Sequence, residues 1–304
     1  MNKLYNCIIL STKSAGSSAL QKLLVKNYGF NMVKNTTHHE NETLFWSKAA
    51  SALDLYQDKM HRSKVPFSRS AALQALNKFL KDNSVEECLS ADASKAEIFS
   101  AYFDLISQYK PLFVEKSPHH LYNQSNLDLL AEFACQYKDK VNVKFLGLVR
   151  HPLSVIYSGW DRWKHDCSEF EREWFVSNVN LLKNKESLNI DIVRYEDLVA
   201  ENAAFLEEKL GLKPVSDAFS FRSSSLDKWK KDKAFGHQLS DETIELAKQF
   251  GYKDFDTSGE GLSWNFKSLS IYAGVELKRL LRKSAMYWLP FCYVNTPAAD
   301  KMLG

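Results

Sequence analysis

Four short apolar runs recur along the chain, Tyr5 to Leu10, Leu112 to Val114, Val143 to Val149 and Ile190 to Val193. They are rich in Val, Ile, Leu and Phe and apolar on both faces, the pattern of strands in a parallel sheet covered by helices on each side. Between them the apolar positions change to helical spacing. Leu20, Leu23, Leu24 and Tyr28 predict a helix that stops at Gly29, and Leu127, Leu130, Phe133, Ala134 and Tyr137 predict another before the third strand. A further helix starts on Ser240 as N-cap, carries Asp241 and Glu242 in its first turn and ends by Gly251. Strand, tight loop and helix in quick succession at the start are the βα opening of a nucleotide-binding α/β domain.

Residues 31–110 contain no clear strand but three helical patterns, Leu44 to Tyr56, Ala71 to Leu80 and Ala96 to Tyr109. A helical insertion of this size after the first βα unit builds a lid or substrate wall, and acceptor specificity is expected there. No repeat, low-complexity tract or polar linker divides the chain. A single domain over 1–304 is therefore expected, with 31–110 as insertion and 265–304 as a C-terminal extension.

Composition narrows the choice of partner. A formal net charge of +3 on 304 residues gives no broad basic face for nucleic acid, so any anion site must be built locally. The five cysteines, Cys7, Cys88, Cys135, Cys167 and Cys292, are scattered, with no CxxC pair and no zinc spacing, and read as thiols in a reducing compartment. The first apolar run is too short for a signal peptide and no run reaches the roughly 20 residues of a membrane span, so a cytoplasmic protein is expected. Near the end, the basic segment Leu277 to Lys283 precedes the apolar Met286 to Phe291. It reads either as a closing helix packed on the core or a partner, or as an interfacial anchor giving peripheral membrane contact.

Candidate chemistry begins in the first loop, Ser11-Thr12-Lys13-Ser14-Ala15-Gly16-Ser17-Ser18. Small residues let the backbone wrap an anion, amides and the positive end of the next helix face inward, and Lys13 adds a charge. The Gly-Lys-Ser/Thr order of a Walker loop is absent. A Ser-rich N-cap turn with a solvated lysine is the plainer alternative. The third strand ends in Arg150-His151-Pro152, and Ser158 follows eight positions after Arg150 on the helix that Pro152 opens. Arg150 and Ser158 can then grip one phosphate; alternatively Arg150 is ion-paired at a strand end and Ser158 lies on a helix surface.

Together these motifs resemble the sulfotransferases that use 3′-phosphoadenosine 5′-phosphosulfate (PAPS), nearest to their carbohydrate-type and bacterial branches. Their 5′-phosphosulfate loop reads Pro-Lys-Thr-Ala-Gly-Thr-Ser/Thr, matched here by Lys13 to Ser18 with Thr12 in place of the proline. Their 3′-phosphate motif is an arginine closing a strand and a serine eight residues on, as with Arg150 and Ser158. Arg194-Tyr195-Glu196-Asp197-Leu198 is similar to a stretch after a later strand, with Trp229-Lys230-Lys231 and Phe250-Gly251-Tyr252 as weaker matches. The resemblance spans roughly Leu4 to Tyr252 and implies a three-layer P-loop-like fold, PAPS as donor, 3′-phosphoadenosine 5′-phosphate (PAP) as product, and no metal.

Glu115-Lys116-Ser117, closing the second strand, resembles the Glu-Lys-Ser/Thr segment of carbohydrate-directed members, where the glutamate can be the base. This implies Glu115 as general base, Lys13 and Lys116 as catalytic cations, and a carbohydrate or glycolipid acceptor. An ion pair at a strand end is the alternative for Glu115 and Lys116. Candidate acceptor contacts are His38, His39 and Glu40 at the start of the insertion, His119 after the second strand, and Arg162 and Trp163 past Ser158. The first cluster also reads as a polar loop and the last as a solvated helix face. Glu196 and Asp197 are expected to cap a helix or brace the arginine-bearing loop. A nucleotide kinase and a non-catalytic nucleotide-binding module remain the competing functions.

Overall fold

The computed structural model describes residues 3–36, 38–56, 60, 63–86, 88–163, 165–200 and 205–257. Strands β1 (Leu4–Ser11), β2 (Leu112–Ser117), β3 (Val141–Val149) and β4 (Asp191–Arg194) fall on the four apolar runs. They form one sheet in the order β2-β1-β3-β4, every neighbouring pair parallel. The chain leaves β1 to one side for β2 and then crosses to the other side for β3. That reversal opens a crevice at the carboxyl ends of the strands, where α/β folds place ligands. Leu10 lies opposite Ser117 and Ser11 opposite Leu148, so the loops that start at residues 12, 118 and 150 leave the same edge.

Helix α1 (Ser17–Tyr28) ends on Gly29, whose φ of 73° only glycine adopts cheaply and whose amide donates to the Leu24 carbonyl. The insertion holds α2 (Phe45–Ala52), α3 (Arg69–Asp82) and α4 (Lys95–Ser107), with α3 capped by Ser68 and α4 opened by a Ser94–Glu97 capping box. The apolar pattern extends α2 to Tyr56, but the helix stops at Ala52 and Asp54 turns left-handed at φ 56°. Next come α5 (Gln124–Gln136), α6 (Pro152–Trp163) and α7 (Cys167–Lys183), the last capped by the Asp166 carboxylate. Short helices α8 (Tyr195–Ala200) and α9 (Leu206–Leu210) follow β4, then the turn α10 (Lys228–Lys231) and α11 (Asp241–Gln249), capped by Ser240 as expected.

Alternation along the strands divides the core. Ile8, Leu10, Phe113 and Phe145 join one apolar cluster with side chains of α2 to α5, α7 and α11. Cys7, Ile9, Val114 and Leu146 join a second with α1, α8 and α9. The result is three layers, with the sheet between helices on both faces. The described residues of Met1–Lys228 and Leu239–Phe255 form one compact unit, and Trp229–Gln238 belongs to a second. The candidate site lies within the first. Among the described residues no helix is long and apolar enough to cross a membrane. The extension at 265–304, with its basic and apolar segments, lies outside the described residues.

Candidate active site

The first loop curls because two of its residues adopt left-handed backbone, Ser14 at φ 61° and Gly16 at φ 102°. At Gly16 the requirement is double. A Cβ there would sit 2.4 Å from the Tyr195 ring, so a side chain would be strained and would also displace that ring. Lys13, Ser14, Gly16, Ser17 and Ser18 line a cavity of about 500 Å³ at the mouth of the crevice. Thr12 and Ala15 do not: both are buried, and Ala15 belongs to the apolar cluster under α1.

Arg150 reaches the same cavity from the end of β3, and Ser158 from the second turn of α6. One guanidinium nitrogen, Nη1, donates to the Ser14 carbonyl at 3.1 Å, tying the two distant segments together. The guanidinium also lies 4.5 Å from the centre of the Tyr195 ring, which packs against Gly16 as well. Burial pulls the Arg150 pKa down from its ordinary value, opposed by Tyr195 and Glu196; at neutral pH it stays a cation. Behind it, Glu196 accepts from the His151 amide at 3.1 Å and from the Tyr252 hydroxyl at 2.9 Å, bracing the arginine-bearing loop.

The far wall comes from the insertion, the end of β2 and the end of α6. His38, Glu40, Lys116, His119 and Arg162 all line the cavity. Glu40 accepts from the Ser18 hydroxyl and lies 3.6 Å from Arg162 and 4.0 Å from the Lys116 ammonium. Glu42 sits 3.5 Å from Lys116, whose pKa burial lowers. The side chains of His39 and Trp163 lie outside the described residues. His119 is buried, and neither ring nitrogen has a hydrogen-bond partner among the described residues. Burial first, then the neighbouring Lys13, holds its imidazole well below the ordinary range, so it is neutral at pH 7.

Glu115, the base implied by the resemblance, does not reach the cavity. Neighbours on a strand face opposite ways, and it is Lys116 that turns to the site. The Glu115 side chain is fully buried under the insertion, where one carboxylate oxygen accepts from Thr43 Oγ1 at 2.8 Å and the other from Trp46 Nε1 at 2.9 Å. Tyr102 adds a further bond. Burial raises its pKa to about 7, and His120, 3.7 Å away, is pushed down to about 3 by the same cause.

Two site residues have no role assigned from the sequence, Tyr195 although it lies in the Arg194–Leu198 stretch, and Glu173. Tyr195 packs between Gly16 and Arg150; its signal is its place directly after β4, at the same sheet edge. Glu173, on α7, lies 3.2 Å from the Lys13 ammonium and has no local signal. As assembled, the cavity can hold an elongated anion between a backbone cradle and an arginine, with cations and a neutral imidazole on the opposite wall. Among the described residues no group of three or more His, Cys, Asp or Glu is placed to hold a metal ion.

A family model described as "Sulfotransferase family" matches residues 7–210. The sulfotransferase domain of the Synechococcus PCC 7002 olefin synthase is similar in fold, with a TM-score of 0.55 and 23% identity over 83% of this chain and 96% of that one. The sulfotransferase domain from the curacin biosynthetic pathway gives a TM-score of 0.50 and 20% identity over 83% of this chain and 99% of that one. No curated protein matches the sequence.

Proposed function

The chain belongs to the sulfotransferase family, and from that premise we propose that it transfers the sulfuryl group of PAPS to a hydroxyl or amine of an acceptor, sugars and glycolipids being the first to test. One observation carries the reading: the Lys13–Ser18 loop and Arg150, far apart in sequence, meet at 3.1 Å in one cavity. The residues fit a nucleotide that is anionic at both ends. The loop amides, Ser17, Ser18 and the N-terminus of α1 hold the 5′ end, and Arg150 with Ser158 holds the 3′-phosphate. Gly16 supports this fit, because it keeps open a cradle that a Cβ would fill.

PAPS, when bound, supplies the activated sulfuryl group. Lys13 and Lys116 offset the negative charge that grows at the leaving oxygen. His119 accepts the acceptor proton on a ring nitrogen. An anionic donor beside it offsets the charge effect of Lys13, which favours that transfer, while the effect of burial stays. Glu115 takes no part in proton transfer here; through Thr43 and Trp46 it fixes the turn that carries Glu40 and Glu42.

Calorimetry tests the donor site. PAP is expected to bind without magnesium, and Arg150→Ala to weaken it by about 1.5–3 kcal/mol, the worth of a charge-assisted contact. Equal preference for Mg-ATP, or an indifferent Arg150→Ala, would overturn the assignment. Labelled PAPS offered with sugars, glycolipids and small alcohols then identifies the acceptor.

A further inference from the structure

The Lys13–Glu173 pair is the least expected contact in the site. Glu173 lies on α7, 160 residues from Lys13 in sequence, and its side chain is only 4% exposed. Its neighbour Trp174 donates from Nε1 to the Arg150 carbonyl at 3.1 Å. Two consecutive residues of one helix therefore hold the backs of both anion-binding elements. Stability alone is a poor reason for such a pair. Burying a carboxylate and an ammonium costs several kcal/mol that their attraction barely offsets, and apolar replacements of buried pairs are often neutral or better.

Geometry supplies another reason. A lysine side chain has four rotatable carbons and a compact charge, so an unanchored ammonium samples many positions. It also carries three N–H donors, so one bond to Glu173 sets its direction without exhausting its capacity for an anion. We propose that Glu173 is a positioning residue for the transfer reaction, fixing the Lys13 ammonium where the leaving oxygen of the donor must lie. The proposal rests on the reading of Lys13 given above.

The charge of Glu173 makes its role separable from a structural one. A carboxylate beside Lys13 repels the anionic donor slightly even as it orients the lysine. Glu173→Gln should thus move two readouts in opposite directions: turnover falls about 10- to 100-fold through misplacement of the ammonium, while PAP binds about two- to tenfold more tightly. Glu173→Asp, which keeps the charge but shortens the reach, should lower turnover and leave PAP affinity within about twofold. Turnover of Glu173→Gln within twofold of the wild type overturns the proposal. So does a joint fall in turnover, PAP affinity and melting temperature in both variants, which marks a purely structural pair. A wild type that neither binds PAP nor transfers from PAPS instead overturns the reading of the site on which the proposal stands.

Discussion

The two walls of the cavity are built differently. On the sheet-edge wall, each group hangs from a strand end or a helix start and is wedged by packing: Gly16 against Tyr195, Tyr195 against Arg150, Trp174 against the Arg150 backbone. On the opposite wall, Lys116 and His119 come from the end of β2, whereas His38 and Glu40 ride on a turn in which Glu40, Asn41 and Leu44 all take left-handed backbone, at φ 60°, 60° and 49°. Such conformations cost on the order of 1–3 kcal/mol each and persist only when the surroundings hold them. Glu115 is one holding group, reached through Thr43 and Trp46, and Thr36, whose hydroxyl donates to the Glu42 carbonyl, is another. The contrast teaches a division of labour, with a packed wall that binds the donor and presents Lys13 to it, and a wall held by a few polar bonds that supplies Lys116 and the base and meets the acceptor.

The sharpest way to break this division is at His119. If it serves the reaction and not the donor, His119→Ala lowers turnover by about 10²- to 10⁴-fold, the usual worth of general base catalysis, and leaves PAP affinity within about twofold. Steady-state kinetics beside calorimetry give both numbers. Equal losses in the two would merge the walls into one binding surface.

Next in size is the anchor of the insertion wall. The folded-state pKa of Glu115 lies near 7, above the ordinary carboxyl value of 4.5. The folded chain therefore keeps a proton that the unfolded chain releases between these values. The stabilisation is complete below the unfolded pKa and is lost as pH rises through the folded one. Relative to Glu115→Gln, the wild type should lose on the order of 3 kcal/mol between about pH 5 and pH 8. Melting curves of both proteins across that range read the difference, whatever their absolute stabilities. Parallel curves would remove Glu115 as the titrating anchor.

The same division governs what the sequence makes legible. The sheet and the sheet-edge wall come from local signals: apolar runs, a small-residue loop with Gly16, an arginine at a strand end, caps at Ser240 and Gly29. Only the ends drift. Strand β2 runs on to Ser117 because Glu115, Lys116 and Ser117 pair with Ile8, Ile9 and Leu10 despite their polarity. The insertion wall depends on contacts between distant residues, which composition and period do not encode. Its helices are visible, but the burial of Glu115 against Thr43, Trp46 and Tyr102 is not. One clue was available: Glu115 and Lys116 are strand neighbours, so they could not both face the donor. Glu173 was invisible for the same long-range reason, since in Glu169-Phe170-Glu171-Arg172-Glu173 it looks like any solvated acid.

The smallest effect tests whether the rigid wall ends where the comparison puts it. Ser158 is half-buried on α6 and lines the cavity with Arg150. A hydroxyl adding one hydrogen bond to a phosphate already held by a guanidinium contributes about 0.5–1.5 kcal/mol. Ser158→Ala should therefore weaken PAP by roughly 2- to 13-fold and leave turnover at saturating donor unchanged, because the contact is the same before and during transfer. Adenosine 5′-phosphosulfate, which lacks the 3′-phosphate, supplies the control: its affinity should not respond to the substitution. A matching loss with that ligand would mean that Ser158 props up α6 and that the rigid wall stops at Arg150.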